Sequence, residues 1–407
     1  MTILRCIDCG AEYPPSQVIY VCRKCKGLLE VLYDMDGVRT AMERSDWRRR
    51  PFNVWRYRDL LPIDDESKIV TLDEGGTPLY RCQRLGEILG LDNLYVKFEG
   101  MNPSGSFKDR GMTASVSKAM ELGMKAVICA STGNTSSSMA AYASKAGLRG
   151  IVLVPHGKVA MGKLAQARAY GAKVILVRGS FDDAFSMVVR IALESKLYLL
   201  NSLNPFRLEG QKTAAFEVVE QLERAPDKLV IPVGNAGNIS AYWKGFREWK
   251  ELGLSNSLPN MIGVQAAGSS PIARAIKEGK EEVTFVDKPE TVATAIRIGH
   301  PVSWKKAVRA IRESGGTAEI VSDEEILSAQ RLLASKEGIF AEPASAASVA
   351  GLRKLAESGL VERGETVVCV ATGCGLKDIN VISSAEKEMI VVEPNLAAIR
   401  KALVFGW

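Results

Sequence analysis

Histidine is nearly absent: the 407 residues contain only His156 and His300. Histidine triads and histidine-bound metals therefore have little material, and acid–base work falls to lysine, carboxylates or a cofactor. Long apolar runs are missing too. No stretch approaches the ~20 residues of a membrane span, and the N-terminal "MTILRCIDCG" lacks the apolar segment of a secretory signal. A cytoplasmic protein with no membrane partner is expected. Nor is charge of one sign concentrated: 53 Lys and Arg face 47 Asp and Glu, interspersed, for a formal net charge of +6. That balance does not argue for a nucleic-acid partner, though it suits small anionic ligands. Apolar content of 46% and charged content of 25% are ordinary for a soluble globular chain. The length exceeds one simple core, so two lobes with a small appendage are expected.

What is present begins with cysteine. There are eight, and in a reducing compartment these read as metal ligands or free thiols before disulfides. Cys6-x2-Cys9 and Cys22-x2-Cys25 stand twelve residues apart, so two knuckles can offer four thiolates to one tetrahedral zinc and close a loop too small for its own core. Four unrelated thiols and a two-disulfide knot are the alternatives. Cys82, Cys129, Cys369 and Cys374 read most simply as buried small residues. The following stretch, "RSDWRRRPFNVWRYRDLLP", is basic and aromatic. It reads as a solvated interdomain arm, with base stacking by Trp47 and Trp55 as the lesser alternative.

From about residue 91 the pattern is α/β. Runs rich in β-branched residues ("KAVICA", "GIVLVP", "AKVILVRG", "KLVIPV", "MIGVQAA", "TVVCVA") alternate with longer amphipathic stretches. Such alternation predicts parallel sheets covered by helices, with ligands bound where strand hands over to helix.

Four of those handovers and turns carry chemistry. In "NPSGSFKDRG" a tight turn delivers Lys108; a surface lysine needs no such setting, whereas a lysine that meets a reacting carbonyl does. After "KAVICA" come Ser131, Thr132, Gly133, Asn134 and Thr135, either a plain helix cap or a seat for a carboxylate. After "KLVIPV" come Gly234, Asn235, Ala236, Gly237 and Asn238, either an ordinary turn or a nest of N–H groups for a phosphate. After "TVVCVA" Thr372 offers a neutral hydroxyl with glycines behind it. Together, a lysine, a carboxylate loop, a phosphate nest and a neutral hydroxyl describe a pyridoxal-phosphate site.

In their order along the chain, "NPSGSFKDRG", "STGNTS", "VGNAGN" and "ATGCGLKD" resemble the fold type II (β-family) pyridoxal-phosphate enzymes. "TAIRIGHPVSW" and "FAEPASAAS" are similar to segments of the threonine synthases within that family, and the cysteine ribbon to that of archaeal-type members. The likeness spans roughly residues 50–385. It implies a two-lobed, tryptophan synthase β-like fold: a ribbon at 1–35, a large cofactor-binding domain from 36–112 and 205–407, and a small substrate domain at 113–204. By the same resemblance Lys108 would carry the pyridoxal 5'-phosphate and Asn134 would face its phenolic oxygen. Gly234 to Asn238 would hold its phosphate, and Thr372 would face its ring nitrogen. Ser131, Thr132 and Thr135 would receive the substrate carboxylate, Asn201 and Arg207 the substrate phosphate, and Cys6, Cys9, Cys22 and Cys25 a structural zinc. The implied reaction converts O-phospho-L-homoserine and water to L-threonine and phosphate, in a homodimer without nucleic acid. Two departures touch the substrate side: Cys374 stands where the family has histidine, and His300 where asparagine is commoner. A cysteate synthase-like replacement on O-phospho-L-serine stays open, as does a zinc-ribbon nucleic-acid-binding protein with a vestigial enzyme body.

Overall fold

A computed structural model describes residues 2–156, 161–179, 181–379 and 391–404. Three strands open the chain: β1 (Thr2–Cys6), β2 (Glu12–Tyr13) and β3 (Leu29–Tyr33), antiparallel in the order β2-β1-β3. Helix α1 (Met35–Arg44) starts where the Asp34 carboxylate accepts the Gly37 N–H. After it come β4 (Leu79–Arg81), α2 (Gln83–Leu89), β5 (Asn93–Phe98) and α3 (Lys108–Glu121). An alternating run then builds one sheet: β6 (Ala126–Ala130), α4 (Asn134–Lys145), β7 (Arg149–Pro155), α5 (Met161–Ala169), β8 (Lys173–Val177), α6 (Phe181–Glu194) and β9 (Tyr198–Leu199). Helices α7 (Phe206–Gln211) and α8 (Thr213–Leu222) return the chain to the other sheet. There follow β10 (Lys228–Pro232), α9 (Gly237–Glu251), β11 (Asn260–Ala266), α10 (Pro271–Lys277) and α11 (Trp304–Glu313). Last in this unit are β12 (Thr317–Val321), α12 (Asp323–Glu337), α13 (Pro343–Glu357) and β13 (Thr366–Ala371).

The larger sheet runs β12-β11-β10-β13-β5-β4, parallel except for β4, and the smaller runs β8-β7-β6-β9, all parallel. Central strands β6 and β10 are buried almost throughout, as strands covered by helices on both faces must be. All six β-branched runs form strands at the residues expected of them. The described residues from Asp378 onward belong to a second unit, in which α14 spans Leu396–Val404. Among the described residues no helix is long and apolar enough to cross a membrane.

The basic aromatic stretch is not a solvated arm. Trp47, Trp55, Tyr57 and Leu60 are all buried. Tyr57 and Trp47 meet Trp249 edge-on at 5.6 and 5.5 Å, and Trp249 stacks on Phe216 at 4.4 Å. Arg48 and Arg49 stay exposed, while Arg50 pairs with Asp59 at 2.6 Å and Arg56 with Glu220 at 3.1 Å. Aromatic burial outweighs the solvation of those paired charges because each gains a carboxylate at the rim.

Candidate active site and thiolate cluster

Lys108 opens α3. The turn before it closes with the Gly105 N–H donating to Asn102 O at 2.7 Å, with Gly105 in the left-handed region at φ +86°. It is stitched to the loop after β13: the Phe107 N–H donates to Thr372 O at 3.0 Å, and the Cys374 N–H to Gly105 O at 2.9 Å. Asp109 locks it further, accepting from the Ser104 N–H and hydroxyl, each at 2.6 Å, and from the Ser138 hydroxyl on α4 at 2.5 Å. Burial pushes the Asp109 carboxyl up to about 6 despite these donors. Lys377 Nζ donates to Ser104 O at 2.7 Å. Thus seven hydrogen bonds from three parts of the chain hold the turn that carries the lysine.

Two residues after Lys108, Arg110 is buried between two carboxylates. Its Nε donates to Glu99 at 2.6 Å and its Nη1 to Glu217 at 2.6 Å, while Lys97 pairs with Glu217 at 2.7 Å. Two buried cations thus balance two buried anions and fix the start of α3 against β5 and α8.

The Lys108 amine is chemically unusual. Burial first, then the nearby Arg207 guanidinium, push it down to about 7, against the opposing pull of Glu342. Arg207 reaches it because α7 packs closely on α3. A Cβ on Gly111 would meet Arg207 O at 2.8 Å, and one on Gly210 would meet Arg110 O at 1.7 Å, so only glycine fits at this crossing. Burial pushes Arg207 down to about 10. Among the described residues no carboxylate pairs with it, and its buried Nε has no partner.

The other expected residues surround the same site. Asn134 opens α4, and its Nδ2 donates to both carboxylate oxygens of Glu342, at 3.0 and 3.1 Å. Ser131, Thr132 and Thr135 are half-buried around it. Asn201 is engaged with backbone: its Oδ1 accepts the Ala130 N–H at 2.9 Å and its Nδ2 donates to Ala130 O at 2.8 Å. It therefore clamps the end of β6 just before the Ser131 loop. The Thr372 and Ser345 hydroxyls bond to each other at 3.0 Å. At the Gly234–Asn238 turn, Ala236 stands at φ +66°, a strained conformation for a residue with a Cβ. Asn235 accepts twice, through O from the Ser303 N–H at 3.1 Å and through Oδ1 from the Val302 N–H at 3.2 Å.

His300 lies apart from this group, half exposed, 3.6 Å from Asp287 and beside Phe285. Residues not singled out from the sequence also belong to the site. Glu342 touches Asn134 and lies where a Cβ on Gly373 would be 2.6 Å from its carboxylate. Ser345 and Gln211 join it. Glu342 and Ser345 fall in the quoted segment "FAEPASAAS", but nothing local distinguishes them from helix caps.

These residues fit an anionic cofactor with a carbonyl. Among the described residues Ser106 Oγ, Arg207 Nε, Gln211 Oε1 and Asn238 Nδ2 are buried without a hydrogen-bond partner, and all four belong to this group. The backbone N–H groups of Gly234, Asn235 and Ala236 donate to nothing among the described residues. Unpaired donors at the mouth of α9, with a lysine amine near neutrality, are what a phosphate and an aldehyde require.

At the N-terminus the four Sγ atoms of Cys6, Cys9, Cys22 and Cys25 lie within 4.8 Å of one another. Cys6–Cys25 and Cys9–Cys25 are 3.4 Å apart and Cys9–Cys22 3.5 Å, too far for disulfides and near the edges of a tetrahedron with ~2.3 Å metal–sulfur bonds. The Tyr13 hydroxyl, 3.2 Å from Cys22, pulls that thiol down to about 6. All eight cysteines are free thiols.

Residues 70–373 match the family described as "Pyridoxal-phosphate dependent enzyme". The chain is 58% identical over 404 residues to the threonine synthase of Methanosarcina acetivorans, covering 99% of this chain and 98% of that protein. It is 55% identical over 400 residues to the threonine synthase of Methanocaldococcus jannaschii, covering 98% of each. The chain therefore belongs to the pyridoxal-phosphate-dependent enzymes, and within them to the threonine synthases. Among solved structures, maize serine racemase superposes with a TM-score of 0.66 at 19% identity, over 76% of this chain and 91% of that one. Threonine deaminase isoform 2 of Solanum lycopersicum gives 0.62 at 21%, over 81% and 88%. These two share the fold.

Proposed function

We propose that this chain is a threonine synthase, converting O-phospho-L-homoserine and water to L-threonine and phosphate. The observation that carries the substrate assignment is Arg207, a buried guanidinium with an unpartnered Nε beside Lys108. A buried cation without a carboxylate is costly unless a ligand supplies the anion. The substrate's phosphate is such an anion, and the leaving phosphate develops charge there.

When bound, pyridoxal phosphate supplies the electron sink that acidifies the substrate's Cα and Cβ protons. The remaining work is the chain's. Lys108 Nζ, near neutrality at about 7, accepts the Cα proton and returns protons as the reaction proceeds. Gly234 to Asn238 would hold the cofactor phosphate with N–H groups, Asn134 would face the phenolic oxygen, and Thr372 would give the ring nitrogen a neutral hydroxyl, which Ser345 already orients. A neutral partner there favours elimination and replacement over transamination. Ser131, Thr132 and Thr135 seat the substrate carboxylate at the start of α4. Asn201 holds their loop to β6 and has one Nδ2 hydrogen left for the phosphate.

The Cys6, Cys9, Cys22 and Cys25 set suits a structural zinc. Separate sheets support a small substrate lobe carried by β6 to β9 and a large cofactor lobe carried by β4, β5 and β10 to β13. A cytoplasmic homodimer without a nucleic-acid partner completes the reading.

The test supplies purified protein with phosphohomoserine, and separately with phosphoserine plus sulfite. Phosphate and threonine from the first mixture alone support the proposal. Product only from the second would transfer the protein to the cysteate synthase-like reading. A colourless protein that retards RNA in a gel would favour the nucleic-acid reading.

A further inference from the structure

The ribbon grips the two helices that flank the phosphate nest. From α11, Lys306 Nζ is buried and donates to Leu29 O on β3 at 2.7 Å. Lys305 pairs with Asp8, inside the first cysteine knuckle, at 2.8 Å, and Arg309 with Glu30 at 3.4 Å. From α9, Lys244 Nζ donates to Val31 O at 2.6 Å. The lead-in to α11 then fills both acceptors of Asn235, through Ser303 and Val302. An unbroken run of contacts thus leads from Asp8, Leu29 and Glu30 through one rigid helix to the centre of the nest.

We propose that Lys306 is a positioning residue for the cofactor phosphate: α11 acts as a strut by which the ribbon sets Asn235. This rests on reading Gly234–Asn238 as the phosphate nest. Lys305 and Lys306 lie in the first turn of α11, directly after Val302 and Ser303, so the ribbon contacts and the nest contacts cannot shift independently. The buried Lys306 ammonium gives up water for one carbonyl, an arrangement that specifies one register of α11 against β3 and penalises any other. With both acceptors occupied, Asn235 is left with its N–H groups to present. Small rotations of α11 would misaim them.

The cofactor dissociation constant of full-length holoenzyme, read by absorbance after equilibrium dialysis, tests this in a double-mutant cycle. Lys306→Met should weaken cofactor retention about tenfold, the size expected when a hydrogen bond to an anion is misaimed. Asn235→Ala cuts the Val302 contact and keeps the backbone one from Ser303, so it should weaken retention too, and the double variant by less than the two effects added. An unchanged constant in Lys306→Met with a weakened one in Asn235→Ala overturns the strut and leaves the nest reading standing. Additive effects overturn the strut as well, because Lys306 would then act on the fold at large. An unchanged constant in Asn235→Ala overturns the strut, while retention of pyridoxal as tight as that of pyridoxal phosphate removes the nest reading and the strut with it. If Lys306→Met does not fold, Lys305→Met with Arg309→Gln cuts the two outer ties at more exposed positions. Loss of about threefold in affinity then supports the strut, and an unchanged constant overturns it.

Discussion

Returning pyridoxal phosphate to cofactor-free protein at a series of pH values isolates what the fold does to Lys108. Only the neutral amine attacks an aldehyde. An amine at the ordinary 10.5 is neutral in about one molecule in three thousand at pH 7, whereas one pushed down to about 7 is neutral in about half. Capture at pH 7 should therefore run about a thousandfold faster than for a solvent-exposed lysine, and its rate should level off above a midpoint near pH 7. Stopped-flow absorbance follows the capture, and pyridoxal without its phosphate gives the same midpoint if Lys108 alone is titrating. Burial is the larger cause and Arg207 the second, with Glu342 opposing both. Arg207→Met must then move the midpoint up and Glu342→Gln must move it down. The sign for stability follows from the same shift. Unfolding returns the amine to its ordinary value, so between about 7 and 10.5 the unfolded chain binds more protons, and the cofactor-free protein gains stability as pH rises through that window. A capture rate that climbs without a plateau to about pH 10 would show an amine in water and refute the reasoning. A downward shift in Arg207→Met would refute the electrostatic part alone.

Three further outcomes are expected. Arg110→Met leaves Glu99 and Glu217 sharing Lys97 and should cost about 3–5 kcal/mol in urea denaturation; adding Glu99→Gln restores charge balance and should recover part of the loss, whereas a double variant weaker than the single contradicts this. Gly373→Ala places a Cβ 2.6 Å from Glu342 Oε1 and should weaken cofactor retention while circular dichroism stays unchanged. Metal analysis should find one zinc per chain, lost in Cys22→Ser with a lower melting temperature; a metal-free protein that melts like the wild type would remove the zinc assignment.

Much of this architecture is readable from local pattern. The six β-branched runs became strands because burial on both faces selects Val and Ile irrespective of distant partners. Short strands such as β9 and the mixed "TAEIV" of β12 carry no such signature. The loops were legible because Gly, Asn, Ser and Thr at strand ends serve backbone geometry there. The aromatic stretch after α1 carries no local sign of burial because Phe216 lies 159 residues beyond Tyr57 and Trp249 lies 202 beyond Trp47. Glu342 escaped for the same reason: it meets Asn134 across 208 positions, and a glutamate before Pro343 looks locally like any helix start.

Two arginines show what the three-dimensional arrangement adds. Arg110 and Arg207 are both buried, one on α3 two residues after Lys108 and the other on the helix α7 packed against it, and no local pattern separates them. Arg110 has its charge answered twice, by Glu99 and Glu217, and burial loses to those carboxylates, which hold it well above its ordinary range. It can do nothing for a ligand. Arg207 is held below its ordinary range by burial, with only a thiol to oppose that, and it spends its field on depressing the Lys108 amine. A fold does not keep an uncompensated guanidinium beside its most reactive amine for stability, since replacing such a group with an apolar side chain would stabilise the chain. The charge is explained once an anion arrives. That anion would offset the desolvation of Arg207 and weaken its pull on Lys108, so substrate binding itself would raise the proton affinity of the amine at the moment it must take up a proton.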